Sequence, residues 1–587
     1  MKDRKAPRER QQPDPESEAW NKLPWRKLEQ YVYRIQKRIY RASQRGNTRA
    51  VQKLQKLLMK SEAARLLAVR RVTQDNQGKK TAGVDGVKSV RPKQRIVLTH
   101  KIHPKHWKQS KPKPVRRVWI PKPGKDEKRP LGIPTMLDRA KQALGKMALE
   151  PEWEAKFEPN SYGFRPGRSC HDAIEAIYGT IKHKPKFVFD ADIKGCFDNI
   201  NQEALIEKLH TYTAMRRAIK GWLKAGVLED EVFTPTKLGT PQGGVISPLL
   251  ANIALHGMEE AIRKGYSTSS SVEKPQLVRY ADDFVILHST RAAVERAAEI
   301  TEQWLNGMGL HLNPKKTRLT HTLTPVEGNV GFNFLGFHIR QYPAGKTHTG
   351  KIANQWKEKD LGFQTHIQPG KEEIKRHVRE VGKKLRKLGT KPQVEIIQAL
   401  SPVIRGWADY YKTVVSARIF EYCDMVLYVQ LSRWAEKKHH TRGKQWIRKK
   451  YWQEVGNNHW VFAERTPEGL KKIRTHSMTH IQRFVKVKGA ASPYDGNLLY
   501  WYKRLKDHPL MENEKAKLLK TQKGQCPHCG LYFKSGDLLE TDHAIPAALG
   551  GKDDISNKWV YHRHCHDEKT AKDMARIAKY KAAGINT

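Results

Sequence analysis

The stretch QLVRYADDFVILHS, residues 276–289, sets two adjacent carboxylates, Asp282 and Asp283, between two short apolar runs. Leu277-Val278 and Phe284-Val285-Ile286-Leu287 read as short strands. The four-residue break between them, Tyr280-Ala281-Asp282-Asp283, is compact enough for a tight hairpin. An Asp-Asp pair alone is most simply a solvated turn, because these residues favour turns anyway. On a rigid hairpin tip, and joined by a third carboxylate, the same pair supplies the hard oxygen ligands that paired Mg²⁺ ions need. That is the chemistry of a metal-dependent nucleotidyl transferase.

A source for the third carboxylate lies upstream in KFVFDADIKGCFDNIN, residues 186–201. Its alternation has the period of a strand, so Asp190 and Asp192 face the same way and strand parity cannot choose between them. Here the chain resembles the reverse transcriptases, whose first catalytic motif has an aromatic residue five positions after the metal-binding Asp. Asp192 has Phe197 at that offset, whereas Asp190 has Gly195. The resemblance therefore implies Asp192, Asp282 and Asp283 as catalytic metal ligands and Phe197 as the aromatic gate against the sugar of the incoming nucleotide. A bulky ring there would clash with a 2′-hydroxyl, so the expected product is DNA made from dNTPs.

The remaining blocks follow in the order such a polymerase requires. PKPGKDEKRPLGIP (121–134) carries Lys122 and Arg129, which the resemblance implies hold the triphosphate; an amine and a bidentate guanidinium suit that task. SYGFRPGRS (161–169) and LGTPQGGVISPLLANI (238–253) come next. The second contains Gln242 in the Pro-Gln-Gly expected against the nascent base pair, with Gly243 and Gly244 permitting close backbone approach. GLHLNPKKTRL (309–319) and FLGF (334–337) follow the hairpin. The wording of these blocks, with TAGVDGV at 81–87, resembles the group II intron-encoded proteins of bacteria more than retroviral enzymes. That family joins a reverse transcriptase to a maturase region, a DNA-binding segment and, often, a carboxy-terminal HNH endonuclease.

Charge agrees with a nucleic-acid partner. The 587 residues hold 110 Lys plus Arg against 60 Asp plus Glu, a balance of +50, and neutralising phosphates releases their condensed counterions. The excess spreads along the whole length, and the resemblance implies group II intron RNA and target DNA as partners. With 38% apolar content, 15 Trp, 20 Tyr and 15 Phe, the chain can build several cores and is not a disordered basic tail. No run of roughly 18 apolar residues is present and the polar start is unlike a secretory signal. The expectation is a cytoplasmic protein associated with nucleoid or ribonucleoprotein, without membrane contact; sequence does not decide between monomer and dimer.

Six cysteines do not make a disulfide framework. Cys170, Cys196 and Cys423 are scattered, whereas Cys526-Pro-His-Cys529 and His562-Arg-His-Cys565 repeat a two-residue spacer that suits tetrahedral Zn²⁺. Cys526, Cys529, His562 and Cys565 are the expected ligands, with His564 as the alternative fourth. Between the pairs, LLETDHAIPAALGGKDDISNKWVYHRHCHDEKT (538–570) resembles the HNH signature. The family's chemistry implies His543 as general base, Asp542 and His566 as ligands of one divalent cation, and Asn557 as the residue that restrains the loop and orients His543. An imidazole with a pKa near 6.5 can accept a proton at physiological pH.

Between palm and nuclease, Ile374, Val378, Val381, Leu385 and Leu388 recur at four-and-three spacing in a basic helix that Gly389 and Pro392 end. The next segment resembles the maturase or thumb region at Gly406, Trp407, Tyr410 and Tyr411, with core packing and base stacking both open for these aromatics. EKKHHTRGKQWIRKKYW (436–452) interleaves Trp446, Tyr451 and Trp452 with cations, which suits phosphate contact with base stacking or a solvated helix face. The expected fold is multidomain α+β: a right-hand polymerase with fingers and palm, a helical thumb and a zinc-containing ββα-metal domain. The expected divisions are an amino-terminal extension, partly disordered then helical (1–70), fingers and palm (71–365), thumb or maturase (366–465), a DNA-binding segment (466–520) and the HNH domain (521–587). The competing functional reading is an RNA-binding splicing cofactor whose catalytic centres are little used.

Overall fold

The computed structural model describes residues 19–121, 127–267, 273–345, 348–353 and 358–583. The disorder expected at the start of the chain falls on residues 1–18, outside the described residues. From there the chain is helical. Trp25–Gln44, Thr48–Lys60 and Glu62–Arg70 stack on the long helix Met136–Glu154. Asn47 and Ser61 cap two of these helices by accepting from the Ala50 and Ala64 amides.

The palm is a four-stranded antiparallel sheet in the order Gln276–Tyr280, Asp283–His288, Phe187–Asp192, Arg318–His321. Both faces are covered. Val188, Val278, Val285 and Leu287 pack with Ile174 and Ile177, while Phe189, Ala191, Leu277, Phe284 and Ile286 enter the core built on the amino-terminal helices. Burial on both sides explains why Phe284–Leu287 reads as an unbroken apolar run. The fingers sheet runs Lys128–Ile133, Val115–Pro121, Val227–Glu229, Val232–Thr234.

The basic helix spans Lys371–Leu388, with Gly389 at φ 52°, and packs against Gln393–Tyr411 and Ala417–Lys438. Its buried stripe includes His377, which the apolar spacing did not reveal. The ring lies flat on Trp407 at 4.5 Å, and its Nε2 is 2.8 Å from His476 Nε2. Trp407, Tyr410 and Tyr411 are packing residues. Both Tyr hydroxyls donate at 3.1 Å to the FLGF turn, to the carbonyls of Leu335 and Gly336, and so fasten thumb to palm.

A three-stranded meander, Trp452–Val455, Asn458–Thr466 and Gly469–Lys472, was not expected. The expected division at 465/466 cuts its second hairpin, because the Arg465–Leu470 pairing crosses it. Similarly, the division at 520/521 falls inside the helix Asn513–Thr521, whose Leu518 and Leu519 belong to the core of the last domain. Within the stretch expected to bind DNA, Trp501 and Tyr502 are buried, and Arg504 pairs at 2.8 Å with the fully buried Asp172 beside the palm. The last domain is a hairpin, Leu539–His543 with Lys558–His562, followed by the helix Arg563–Ala582.

Candidate active sites

The hairpin break is two residues rather than four: Tyr280 already pairs with Asp283, leaving Ala281 and Asp282 as the turn. Ala281 has φ 59°, a conformation that a residue with a Cβ keeps only where its surroundings enforce it. Three contacts do so. Arg279, 1% exposed, donates to the Ala281 carbonyl and to Asn252 Oδ1, each at 3.1 Å. Asn252 in turn donates to the Gly163 carbonyl at 2.8 Å. Finally, Gly163 lies so close that a Cβ there would sit 2.4 Å from the Ala281 nitrogen, so SYGF requires glycine where it brackets the hairpin.

Asp192 stands directly across from Asp283 in the sheet, with Asp282 next to it in the turn. Burial and the neighbouring Asp282 and Asp192 carboxylates push the Asp283 carboxyl up to about 7. Burial and Asp192 also raise Asp282, while Lys316 and Arg129 oppose that rise. Asp192 Oδ2 accepts from Lys316 at 2.8 Å and from Asn313 at 3.2 Å. Asp190 differs: it faces Val285 and is neutralised by Arg318 through two N–H groups at 3.0 and 2.9 Å. Parity could not separate the two aspartates; their cationic partners and cross-strand neighbours do. Lys316 and Asn313 were not singled out, although their block was.

Around this cluster, Phe197 packs edge-on against the exposed Phe164 at 6.0 Å. Gln242 donates to Asp198 at 3.0 Å, and its carbonyl accepts from the Gly132 amide at 2.6 Å, joining the PQGG loop to the fingers strand that carries Arg129. Lys122 lies outside the described residues. The donor set suits hard dications: three carboxylates converge, and burial together with their mutual repulsion raises two of them, a cost that nearby positive charge would offset.

The SYGFRPGRS block also ties the molecule together. Arg165 and Glu154 form an ion pair at 2.9 Å, each 1% exposed. Arg168 donates to the Gly489 and Ala491 carbonyls, and Trp501 fills the space over Gly167.

In the last domain, one ligand atom from each of Cys526, Cys529, His562 and Cys565 lies within 4.8 Å of the others, and all four residues are buried. His562 Nε2 contacts Asp537 at 3.3 Å, the carboxylate support that a metal-binding imidazole commonly has. His564 points instead toward Glu29 of the first helix, at 3.4 Å. Buried thiols with a soft imidazole donor fit Zn²⁺.

Asp542 and His566 face each other at 3.8 Å. Lys569, one turn beyond His566 on the same helix, places its ammonium 3.0 Å from Asp542 Oδ2. Its three-residue offset from His566 was the available signal for this residue, which the sequence reading left out. His543 Nε2 is 3.0 Å from Asp553, another residue not singled out. Asn557 exchanges hydrogen bonds with the Ile545 amide and carbonyl, both at 2.9 Å, and donates to Lys552 O at 2.8 Å. It thus clamps the 545–552 loop, the restraint expected of it.

Family models match in succession: N-terminal domain of reverse transcriptase over 20–102, reverse transcriptase (RNA-dependent DNA polymerase) over 120–339, group II intron maturase-specific domain over 372–452 and HNH endonuclease over 526–572. Protein YkfC of Escherichia coli is 34% identical over 334 residues, 49% of this chain and 83% of that protein. The group II intron-encoded protein LtrA of Lactococcus lactis is 34% identical over 304 residues, 41% of this chain and 49% of LtrA, so the match spans about half of that relative. An uncharacterized 91 kDa protein in the cob intron of Schizosaccharomyces pombe is 29% identical over 51% of this chain and 44% of its own length. With these domains in this order around the aspartate hairpin, the chain belongs to the group II intron-encoded proteins, reverse transcriptases joined to a maturase-specific domain and an HNH endonuclease domain.

Proposed function

We propose that this chain copies intron RNA into DNA at the Asp192, Asp282 and Asp283 cluster, binds that RNA to promote its splicing, and nicks target DNA with its HNH site to create the primer. The observation that carries the reading is the pairing of Asp192 with Asp283 across the palm sheet, with Asp282 beside them. The cofactor reading is not favoured, since the chain matches both the reverse transcriptase and the HNH endonuclease family models. No described helix is long and apolar enough to cross a membrane; ribonucleoprotein association is part of the proposal.

Mg²⁺ ions, when held by the three aspartates, would lower the pKa of the primer 3′-hydroxyl and neutralise the charge that develops on the α-phosphate and the departing pyrophosphate. The chain's own groups orient the reactants. Arg129, on the fingers strand, offers two parallel N–H groups to the triphosphate, a task the resemblance shares out to Lys122 as well. Gln242, steadied by Asp198, lies under the nascent pair. Lys316 and Asn313 hold the Asp192 carboxylate in place. Phe197, buttressed by Phe164, blocks the space of a 2′-hydroxyl. Phe197→Ala is therefore expected to raise the relative kcat/KM for rNTPs over dNTPs by about tenfold or more, the size of effect a cavity-shaped steric filter gives. Unchanged discrimination in single-nucleotide addition would remove the gate assignment.

At the nuclease, the Asp553 carboxylate engages His543 Nε2, which leaves Nδ1 as the nitrogen that takes the proton from water. Asp542 and His566 would hold one divalent cation that stabilises the leaving oxygen, with Lys569 supporting Asp542. A Zn²⁺ ion on Cys526, Cys529, His562 and Cys565 would be structural. The test separates the two activities: His543→Ala should lower nicking of a supercoiled target, supplied with the ribonucleoprotein, by about 10²–10⁴-fold. Extension from a primer already nicked should be unchanged. Persistent nicking would refute the base, and loss of both activities would refute their independence.

A further inference from the structure

A cavity of about 420 Å³ shares no residue with either catalytic cluster. It opens between the helices Thr48–Lys60 and Thr213–Leu223 and the loop around Trp107. Its walls are Met59, Trp107, Tyr212, Met215 and Trp222. Trp107 and Trp222 meet edge-to-face at 5.7 Å, and the Trp107 Nε1–H is already spent on the Ile102 carbonyl at 2.8 Å, so the indoles present apolar surface to an occupant. Besides Arg217 on the rim, the outer side of the helix Thr213–Leu223 contributes the small residues Ala214, Ala218 and Gly221, which keeps the mouth open.

Charge selects among possible occupants. Lys56, Lys60, Lys108, Lys111 and Arg217 rim the opening, all exposed, and among the described residues no acidic side chain lines it. Lys56 is already poised over the Tyr212 ring at 5.0 Å. Inside, Lys141 is 2% exposed and its ammonium donates to Ser110 Oγ at 2.9 Å and to Ser110 O at 3.4 Å. An ammonium has three N–H donors, and Ser110 Oγ, which accepts from Lys141, still carries its own O–H. A purely apolar ligand would leave these donors unused and gain nothing from the cationic rim. An unstacked nucleobase matches all three features: π faces for the aromatic walls, carbonyl or ring-nitrogen acceptors for the buried donors, and flanking phosphates for the rim. A volume of this size accommodates a small planar ligand.

We infer that this cavity captures one splayed base from a single-stranded segment of folded RNA. RNA is the occupant chosen because its loops and bulges offer bases free of pairing, whereas duplex DNA must first be opened. The inference rests on the proposal above that the chain binds intron RNA.

Photo-crosslinking of the full chain to a single-stranded RNA oligonucleotide bearing one 4-thiouridine, followed by peptide mapping, tests it. Adducts are expected on peptides containing Trp107, Tyr212 or Met215. Ala214→Trp, which plugs the mouth from an exposed position, and Lys111→Glu, on the rim, should each reduce those adducts about tenfold, the value of one stacked base. Filter binding of the same RNA should change much less, because the rest of the basic surface remains. Adducts confined to other regions, or cavity adducts unchanged in both variants, would overturn the inference while leaving RNA binding standing. Equal cavity crosslinking by the matching DNA oligonucleotide would overturn the choice of RNA. Failure of the unaltered chain to retain RNA on the filter would sink the broader proposal together with this one.

Discussion

Asp282→Ala should lower primer extension on an RNA template by about a thousandfold or more, with RNA binding nearly unchanged. A bound dication contributes several kcal/mol of charge stabilisation to phosphoryl transfer, and each 1.36 kcal/mol is tenfold in rate, so losing a ligand that positions it is worth about 4 kcal/mol. The hairpin itself should survive the substitution. Its turn is held by Arg279, Asn252 and the close approach of Gly163, none of which touches the Asp282 side chain. The Asp282 carbonyl contact with the Ile193 amide is backbone and remains in alanine. A neighbouring comparison sharpens the test. Asp192→Asn should be as damaging as Asp282→Ala, whereas Asp190→Asn, which alters a carboxylate already paired with Arg318, should cost less than about tenfold. Extension by Asp282→Ala within tenfold of the unaltered chain, or equal loss in Asp190→Asn and Asp192→Asn, would dismantle the site. Loss of RNA binding along with extension would mean that the palm had collapsed.

The aspartate pair reveals which parts of such a site a sequence can express. Asp282 and Asp283 are legible because the flanking strands are buried on both faces and therefore uniformly apolar, which isolates the polar tip. Asp190 and Asp192 are not separable by strand parity, since a two-residue period puts both on one side; only the motif offset to Phe197 favours Asp192, and the physical distinction lies in Arg318 and Lys316, more than a hundred positions away. Long-range partners of this kind leave no local trace. The same holds for Gly163, whose glycine requirement comes from the Ala281 backbone of another segment.

The thumb shows the reverse difficulty. Its apolar spacing located the first helix, yet His377 sits in the buried stripe, where a hydrophobicity pattern counts it as polar. Burial and the facing His476 imidazole push its pKa down to about 3, so it packs as a neutral ring against Trp407. The meander over 452–472 is hidden because its two outer strands have four residues each and the nine-residue middle strand mixes polar, charged and apolar residues without alternation. Trp460 there is 48% exposed and is covered by Arg448 at 3.8 Å, a pairing that neither residue type announces from sequence. In the stretch expected to bind DNA, composition does not reveal that Trp501, Tyr502 and Arg504 are used in packing and pairing within the chain.

If the proposed Zn²⁺ centre is right, the chain should bind one Zn²⁺, and the Cys526→Ser, Cys529→Ser double variant should lose it and unfold the HNH domain, leaving polymerisation in place. Elemental analysis of the purified chain and limited proteolysis check this. The domain's core is small: Leu518, Leu519, Phe533, Val560 and Tyr561 pack around Cys526, Cys529 and Cys565 themselves, so the metal ligands are a large share of its interior. Structural Zn²⁺ contributes on the order of 10–16 kcal/mol to such folds, far more than a core of this size supplies. Without the ion, three thiols and the His562 Nδ1 would be crowded together in a buried cluster, with Asp537 supporting only the far nitrogen of the imidazole. The resulting loss should reach the nuclease residues, because the strand Lys558–His562 that ends in a ligand also pairs with the strand bearing Asp542 and His543. It should stop short of the palm. The polar contacts of the last domain with the rest of the chain include Arg70 with Asp567 and Glu29 with His564, on the amino-terminal helices, and the Gly167 amide with Ser535, while the palm sheet is buried in large cores separate from that of the last domain. His564→Ala should keep the Zn²⁺, since its ring turns toward Glu29 and away from the ligand set. One Zn²⁺ retained by the Cys526→Ser, Cys529→Ser variant would disprove the centre; loss of the ion in His564→Ala would move the fourth ligand to that residue.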